Sequence, residues 1–158
     1  MLTLLLIGIV ALLLVGVLLG VVRTWQLAHS SSQALFSAGT APNPPPDGLY
    51  KGTVPGHTVS WLGKKFDAGT ATGVNLFKQA DGSAREEYPF KTSSSNGVHD
   101  ASLRVIAIDY DIPGNPLWLR PILDEVVETM PGQLLGKMQL RLIPGYPFTL
   151  TYFTLTKQ

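Results

Sequence analysis

The sequence predicts a mainly β protein in which a single N-terminal transmembrane helix precedes an antiparallel β-barrel of about eight strands. Three features lead to this fold class. An unbroken apolar run opens the chain, a stretch rich in Ser, Ala and Pro follows it, and short β-forming segments separated by turn residues fill the rest. The predicted divisions are a membrane anchor over residues 1–23, a linker over 24–47 and a barrel domain over 48–158.

The first predicted element is the apolar run from Leu2 to Val22, whose only polar side chain is the hydroxyl of Thr3. About 20 helical residues rise roughly 30 Å, the thickness of a hydrocarbon core, and a helix satisfies its own backbone hydrogen bonds. A signal peptide has a basic n-region and a shorter apolar core of about 7–15 residues. The run is therefore predicted to be an uncleaved single-pass anchor, with cleavage near Ala28-His29-Ser30 as the alternative.

Residues within and beside this helix bear on its orientation and its partners. Arg23 is the only charged side chain close to the run, and the positive-inside rule keeps such a side cytoplasmic. The barrel domain is accordingly predicted on the cytoplasmic side, on the strength of one residue. Gly16 and Gly20 form a GxxxG spacing, which lets two helix backbones approach closely and predicts a membrane-protein partner on that face. Chance is the alternative, because glycine is common in membrane helices.

The linker is predicted to be a spacer without a core of its own. Trp25, just outside the apolar run, is typical of the aromatic belt at the level of the lipid headgroups. The segment 30–47 is rich in small residues and ends in a triple proline, Pro44-Pro45-Pro46, which favours a stiff polyproline II conformation.

The residues from Gly48 onward are predicted to form strands. Runs rich in Val, Ile, Thr, Tyr and Phe are interrupted by Gly, Pro, Asn and Asp about every eight to twelve residues, as in sandwiches and barrels. Only the part from Ile122 to Met130 has a competing helical pattern, and the tract from Ser93 to Asn96 is predicted to be a mobile loop. Closure into a barrel would leave no exposed edge. The predicted strands are 49–54, 59–66, 72–78, 85–92, 103–110, 117–130 with a break at Pro121 as an option, 134–143 and 148–156.

Several short motifs resemble those of the small lipocalin-like, calycin-type barrels. Gly48-Leu49-Tyr50-Lys51-Gly52 resembles their G-x-W-x-G opening, with Tyr50 in the tryptophan position. Trp61 to Phe66 resembles their W-x-G-K-x-F strand, and Leu134 to Met138 resembles their L-L-G-x-M strand ahead of an aromatic terminal strand. The resemblance covers most of residues 48–156 and implies an up-and-down barrel that holds a small apolar molecule, with no settled chemistry. The tyrosine and the membrane anchor depart from the family pattern.

Aromatic side chains are the candidates for the wall of such a cavity, and the alternative for each is an ordinary core position. Two of them lie five residues apart on one predicted strand and so face opposite sides of it, unless Gly63 marks a β-bulge. The candidates are Tyr50, Trp61, Phe66, Phe77, Tyr88, Trp118 and Tyr152.

No catalytic residue, metal site or cofactor is predicted. The chain has no cysteine, which excludes disulfides, thiol catalysis and cysteine-held metals. His29, His57 and His99 share no metal-binding spacing, and no histidine follows them in the position typical of haem-binding relatives. The net charge of +1, without a basic run, argues against nucleic acid as a partner.

The acidic residues are predicted to be structural. Asp109 and Asp111 are expected at a solvated strand end before a Pro-Gly-Asn turn. A second set of acidic residues is expected to cover an exposed face and to pair with Arg120 or Arg141. These residues are Asp124, Glu125 and Glu128.

Two functions remain. The first is a membrane-anchored, non-catalytic barrel that binds a small apolar or amphipathic, lipid-like molecule close to the bilayer. The second is an accessory or structural subunit of a larger membrane complex. Convergence of His99, Asp109 and Asp111 on one cavity would instead indicate an enzyme.

Overall fold

Every residue from 1 to 158 is described by the computed structural model, and the predicted fold class is confirmed. Each strand pairs antiparallel with the next along the chain, and the last strand returns to the first, which closes an up-and-down barrel. The two helices are α1 (Leu2–Ala28) and α2 (Ser31–Ala38). The strands are β1 (Gly48–Thr53), β2 (Trp61–Asp67), β3 (Thr72–Lys78), β4 (Ala84–Asn96), β5 (Arg104–Asp109), β6 (Ile122–Met130), β7 (Gln133–Ile143) and β8 (Tyr146–Lys157).

One local prediction within the barrel is wrong. The serine tract expected to be a mobile loop belongs to β4, where Ser93 to Asn96 pair with β5 residue by residue. The strand predicted over 117–130 is confirmed from Ile122 onward as β6, whereas residues 117–121 form a turn. Its competing helical pattern arises because its side chains are buried on both faces of the sheet from Ile122 to Val127. Burial on both faces removes the alternation that normally marks a strand in a sequence.

A bulge in β2 places two aromatic rings on the same side of the sheet. The register between β2 and β3 shifts between Trp61 and Gly63, so the bulge considered for Gly63 is confirmed. Gly63 has a φ of +138°, and a Cβ there would lie 2.0 Å from the carbonyl oxygen of Tyr50. Only glycine fits this position. As a result Trp61 and Phe66 both face the barrel interior.

Helix α1 covers an unpaired part of the barrel wall. Strand β1 pairs with β8 only over Thr154 to Lys157, which leaves the earlier part of β8 without a neighbour on that side. There the backbone N–H of Thr149 donates to the Thr24 hydroxyl at 3.0 Å, and Arg23 Nε donates to the carbonyl of Leu150 at 3.2 Å. These contacts satisfy backbone groups that an open sheet edge would leave exposed.

The contacts of α1 also fix its direction relative to the barrel. Gly20 lies against the ring of Phe148, Thr24 bonds to Thr149, and Leu27 packs on the cluster that contains Tyr152. Helix and strand therefore run in the same direction, and the residues before Gly20 extend beyond the start of β8. All side chains in residues 1–19 are exposed. This helix is long and apolar enough to cross a bilayer, a property that a signal sequence shares.

The segment predicted as a bare spacer contains a second helix. The Ser30 hydroxyl accepts from the backbone N–H of Gln33 at 3.2 Å and caps α2. Phe36 of α2 is 1% exposed and packs on the outer face of the barrel with Val105, Val127 and Leu135. Burial of Phe36 and the backbone bridge between Thr40 and Glu128 tie the segment to the barrel, a tertiary effect that its Ser-rich composition does not reveal.

Candidate functional site

A cavity of about 380 Å³ occupies one end of the barrel interior. Its mouth lies where β1 ends and β2 begins, and the exposed residues Val59, Ser60 and Trp118 border it. The volume falls within the range of roughly 300–1,000 Å³ that small-molecule sites have. Apolar side chains form most of the wall, namely Val54, Val59, Trp61, Phe77, Tyr88, Trp118, Leu119, Ile122, Met138 and Phe153.

Four of the seven predicted aromatic candidates line this cavity. They are Trp61, Phe77, Tyr88 and Trp118. Phe77 and Tyr88 stack edge to face at 5.6 Å, and Tyr88 does the same with Trp118 at 5.7 Å. Tyr88 has a φ of +53° at a register shift between β3 and β4, an uncommon backbone state for a non-glycine residue. The bulge directs its ring into the barrel.

The other three candidates lie elsewhere. Tyr50 and Phe66 belong to the packed core of the barrel and do not line the cavity. They contact each other edge to face at 5.4 Å. Tyr152 faces outward, where it packs against Phe36 and donates a hydrogen bond to Gln33 Oε1. Its position on the outer face follows from strand alternation, because Phe153 and Leu155 point inward.

Beneath the apolar wall lies a buried polar network centred on Lys64. Its ammonium group is 3.0 Å from Asp124 Oδ2 and 2.9 Å from Asn75 Oδ1, and it also donates to the hydroxyl of Tyr110. The Tyr110 hydroxyl in turn donates to Asp124 Oδ2 at 3.1 Å. Trp61 Nε1 donates to Asn75 Oδ1 at 3.1 Å, which fixes the indole at the cavity wall.

One acceptor in this network has no partner. The three ammonium protons of Lys64 have three acceptors, and Asn75 Nδ2 donates to the carbonyl of Tyr88 at 3.0 Å. Asp124 Oδ1 is the one buried side-chain polar atom of the chain without a hydrogen-bond partner. Asp124 is 1% exposed, lies on the inward face of β6 between Ile122 and Val126, and lines the cavity.

Burial dominates the electrostatics of the network. It lowers the pKa of Lys64, and the neighbouring carboxylate of Asp124 partly offsets this shift. Burial also raises the pKa of Tyr110 well above its ordinary value, and the negative charge of Asp124 adds to the effect. Tyr110 therefore stays a neutral hydrogen-bond donor. The Lys64 ammonium also lies 5.1 Å from the ring centroids of Phe90 and Tyr110, within cation–π range.

The expectation that Asp124 and Glu125 cover an exposed face is wrong. Each is 1% exposed, with Asp124 inside the barrel and Glu125 on its outer face. Glu125 accepts from Gln139 Nε2 at 3.1 Å and from the backbone N–H of Val98 at 2.6 Å, and Lys137 Nζ lies 3.8 Å away. The loop that follows β4 covers this carboxylate.

The remaining polar candidates do not converge on the cavity. Arg141 pairs with Asp109 at 2.6 Å, and neither residue lines the cavity. His99 and Asp111 also lie outside its lining. No three His, Asp or Glu side chains of the chain are grouped in a way that could hold a metal ion.

Sequence reasoning missed the polar residues of the site. Lys64 and the exposed Lys65 are adjacent and identical in type, so the sequence does not show which of them faces the barrel interior. The bulge at Gly63 decides their orientation, and it is visible only in the structure. For Asp124, the sequence does contain a feature that indicates burial. An acidic pair lies in the middle of the apolar segment from Ile122 to Val127, and such charges in a two-sided buried strand need partners.

The fold and the site together define a closed, up-and-down β-barrel with an aromatic-lined internal cavity above a buried ion pair. No family model and no curated protein matches the chain. A crystal structure of a protein from Thermomonospora curvata is similar in fold, with a TM-score of 0.61 and 19% sequence identity. The match covers 80% of this chain and 84% of that one. At this identity the likeness concerns the fold alone.

We predict that the two adjacent lysines differ sharply in their contribution to stability. Lys64→Met leaves the buried carboxylate of Asp124 without its cation, and the expected loss is about 3–5 kcal/mol of unfolding free energy. The matched control is Lys65→Met, because Lys65 pairs with Glu86 at 2.9 Å on the open surface, where such pairs contribute little. Denaturant unfolding of both variants in the same detergent measures the difference. Equal effects would contradict the assignment of Lys64 to the barrel interior.

Proposed function

We propose that the protein is a single-pass, membrane-anchored, lipocalin-like barrel that binds a small apolar or amphipathic molecule next to the bilayer and does no bond chemistry. One observation carries the proposal. The aromatic-lined cavity opens at the end of the barrel past which α1 extends. A ligand dissolved in the bilayer is thereby presented to the cavity at a high effective concentration.

The composition of the cavity supports an apolar ligand. Aromatic and aliphatic side chains make up most of its wall, and its charged and amide side chains, Lys64, Asp124 and Asn75, gather at one place. Small-molecule sites have this character, with an apolar body and a few polar groups that set orientation. An internal ligand is also what the motif resemblance to lipocalin-like barrels implies.

The rim around the mouth supports contact with lipid. Three of the four connections at this end of the barrel present exposed large apolar side chains: Val59 before β2, Leu117 and Trp118 before β6, and Leu142, Ile143 and Tyr146 around the β7–β8 turn. Leu117 is 78% exposed and Trp118 is 63% exposed. Apolar groups clustered at one end of a soluble domain mark an interaction surface, and tryptophan is typical of the headgroup region.

The packing of α1 supports an anchor that is retained. Gly20 and Thr24 both contact β8, so removal of the helix near Ala28 would uncover the unpaired edge of that strand. Of the two glycines predicted to face a partner helix, Gly20 lies against Phe148 of its own chain, whereas nothing approaches Gly16. The partner through Gly16 and Gly20 stays a prediction, as does the cytoplasmic side of the domain.

Filling the cavity tests the binding function. Thr151 lines the cavity, and Thr154 on the same strand bonds instead to Thr53 on the surface. We expect native mass spectrometry of the detergent-extracted wild-type chain to show a bound small molecule. Thr151→Trp occupies the cavity and should remove that molecule, while the control Thr154→Trp should retain it.

Two results would count against the binding function. One is a wild-type chain that carries no small molecule and takes up none from added lipid extract. The other is a stoichiometric protein partner with an unoccupied cavity, which would favour the accessory-subunit function.

Contact of the rim with the bilayer is tested separately by tryptophan quenching. A W25F/W61F chain keeps Trp118 as its only tryptophan, and a W25F/W118F chain keeps Trp61, which is inside the barrel. In nanodiscs that contain lipids brominated near the headgroup, we expect strong quenching of Trp118 and little of Trp61. Equal, weak quenching of both would show that the rim stays away from lipid.

A further inference from the structure

The partnerless carboxylate oxygen at the cavity restricts the chemistry of the ligand. Asp124 Oδ1 is buried, lines the apolar cavity through its residue, and accepts no hydrogen bond from the protein. A buried acceptor of this kind is costly unless a donor reaches it. We propose, building on the function above, that the ligand is an amphipathic alcohol whose hydroxyl donates to Asp124 Oδ1 while its apolar body fills the aromatic part of the cavity.

The bonding of the network disfavours an anionic headgroup. Lys64 is the only cation at the cavity, and its three protons are already directed at Asp124, Asn75 and the Tyr110 hydroxyl. A ligand carboxylate would have to break one of these bonds and would meet the negative charge of Asp124. A fatty acid therefore does not fit the site, although its chain fits the wall.

A cationic headgroup is also disfavoured. Lys64 and Asp124 form a neutral pair, so a ligand ammonium would bring a second positive charge close to the Lys64 ammonium in a buried site. A hydroxyl adds no charge and supplies the one donor that the network lacks. Hydrogen bonds to a charged acceptor are stronger than neutral ones, so the hydroxyl should dominate the choice among ligands of equal size.

Three probes with the same apolar chain test this inference: decanol, decyl methyl ether and decanoate. Each is titrated against the full-length protein in detergent, and binding is measured by native mass spectrometry after correction for partition into protein-free micelles. We expect decanol to bind at least about tenfold more tightly than the ether, which keeps the oxygen but has no donor. Decanoate should bind more weakly than either.

The variant Asp124→Asn provides the matched measurement on the protein. The amide keeps the shape of the side chain and an oxygen for Lys64, but it presents an NH₂ group in place of the second carboxylate oxygen. The preference for decanol over the ether should disappear, while the ether still binds. Because removal of the buried charge affects stability, the comparison of probes on the wild-type chain stands as an independent test.

The outcomes separate the inference from the function on which it rests. Equal affinity for decanol and its ether would overturn the hydroxyl assignment and would mean that water serves Asp124 Oδ1. Preference for decanoate would overturn it as well, while still supporting a binding barrel. If none of the three probes binds, the proposed function itself fails.

Discussion

The buried ion pair between Lys64 and Asp124 is the constraint on which the interior of this barrel depends. Its two charged groups lie 3.0 Å apart inside the barrel, and taking them out of water is costly. Hydrogen bonds offset part of that cost: the Tyr110 hydroxyl bonds to both members of the pair, and Asn75 Oδ1 accepts from Lys64. A barrel filled only with apolar side chains would avoid the cost altogether. In the proposed function, the pair has a role despite this cost, because it presents a polar group to the cavity.

The second organising contact is the docking of α1 on β8. A closed barrel has no free edge, but here β1 is too short to cover the first part of β8, and α1 covers it instead. The same contact aims the exposed N-terminal part of the helix past the mouth of the cavity. The docking of α1 on β8 therefore couples the direction of the helix to the position of the cavity mouth. In the proposed function, a helix held in lipid would also hold the mouth toward lipid.

Much of the fold follows from the sequence because its signals are local. Apolar length predicts α1, and β-forming runs between Gly-Pro turns predict the barrel and its strand count. Elements that tertiary contacts decide were harder to predict. Helix α2 packs on the barrel through Phe36, β6 is buried on both faces, and the end of β4 is a serine tract held by its pairing with β5 and by side-chain hydrogen bonds from Arg104.

The candidate site was predictable only in its aromatic half. Large aromatic residues on strands near turns are natural candidates for a cavity wall, and Trp61, Phe77, Tyr88 and Trp118 take that place. Tyr152 faces outward because of strand alternation, which the residue type alone does not reveal. The inward orientation of Lys64 depends on a one-residue bulge, and its pairing with Asp124 joins strands far apart in the sequence.

The most direct measurement is a crystal structure of the full-length protein grown from a lipidic mesophase. The account predicts Lys64 and Asp124 paired at the base of the cavity, with an elongated molecule above them whose polar atom lies within hydrogen-bond distance of Asp124 Oδ1. An interior filled by its own side chains, with Lys64 turned out to solvent, would contradict it.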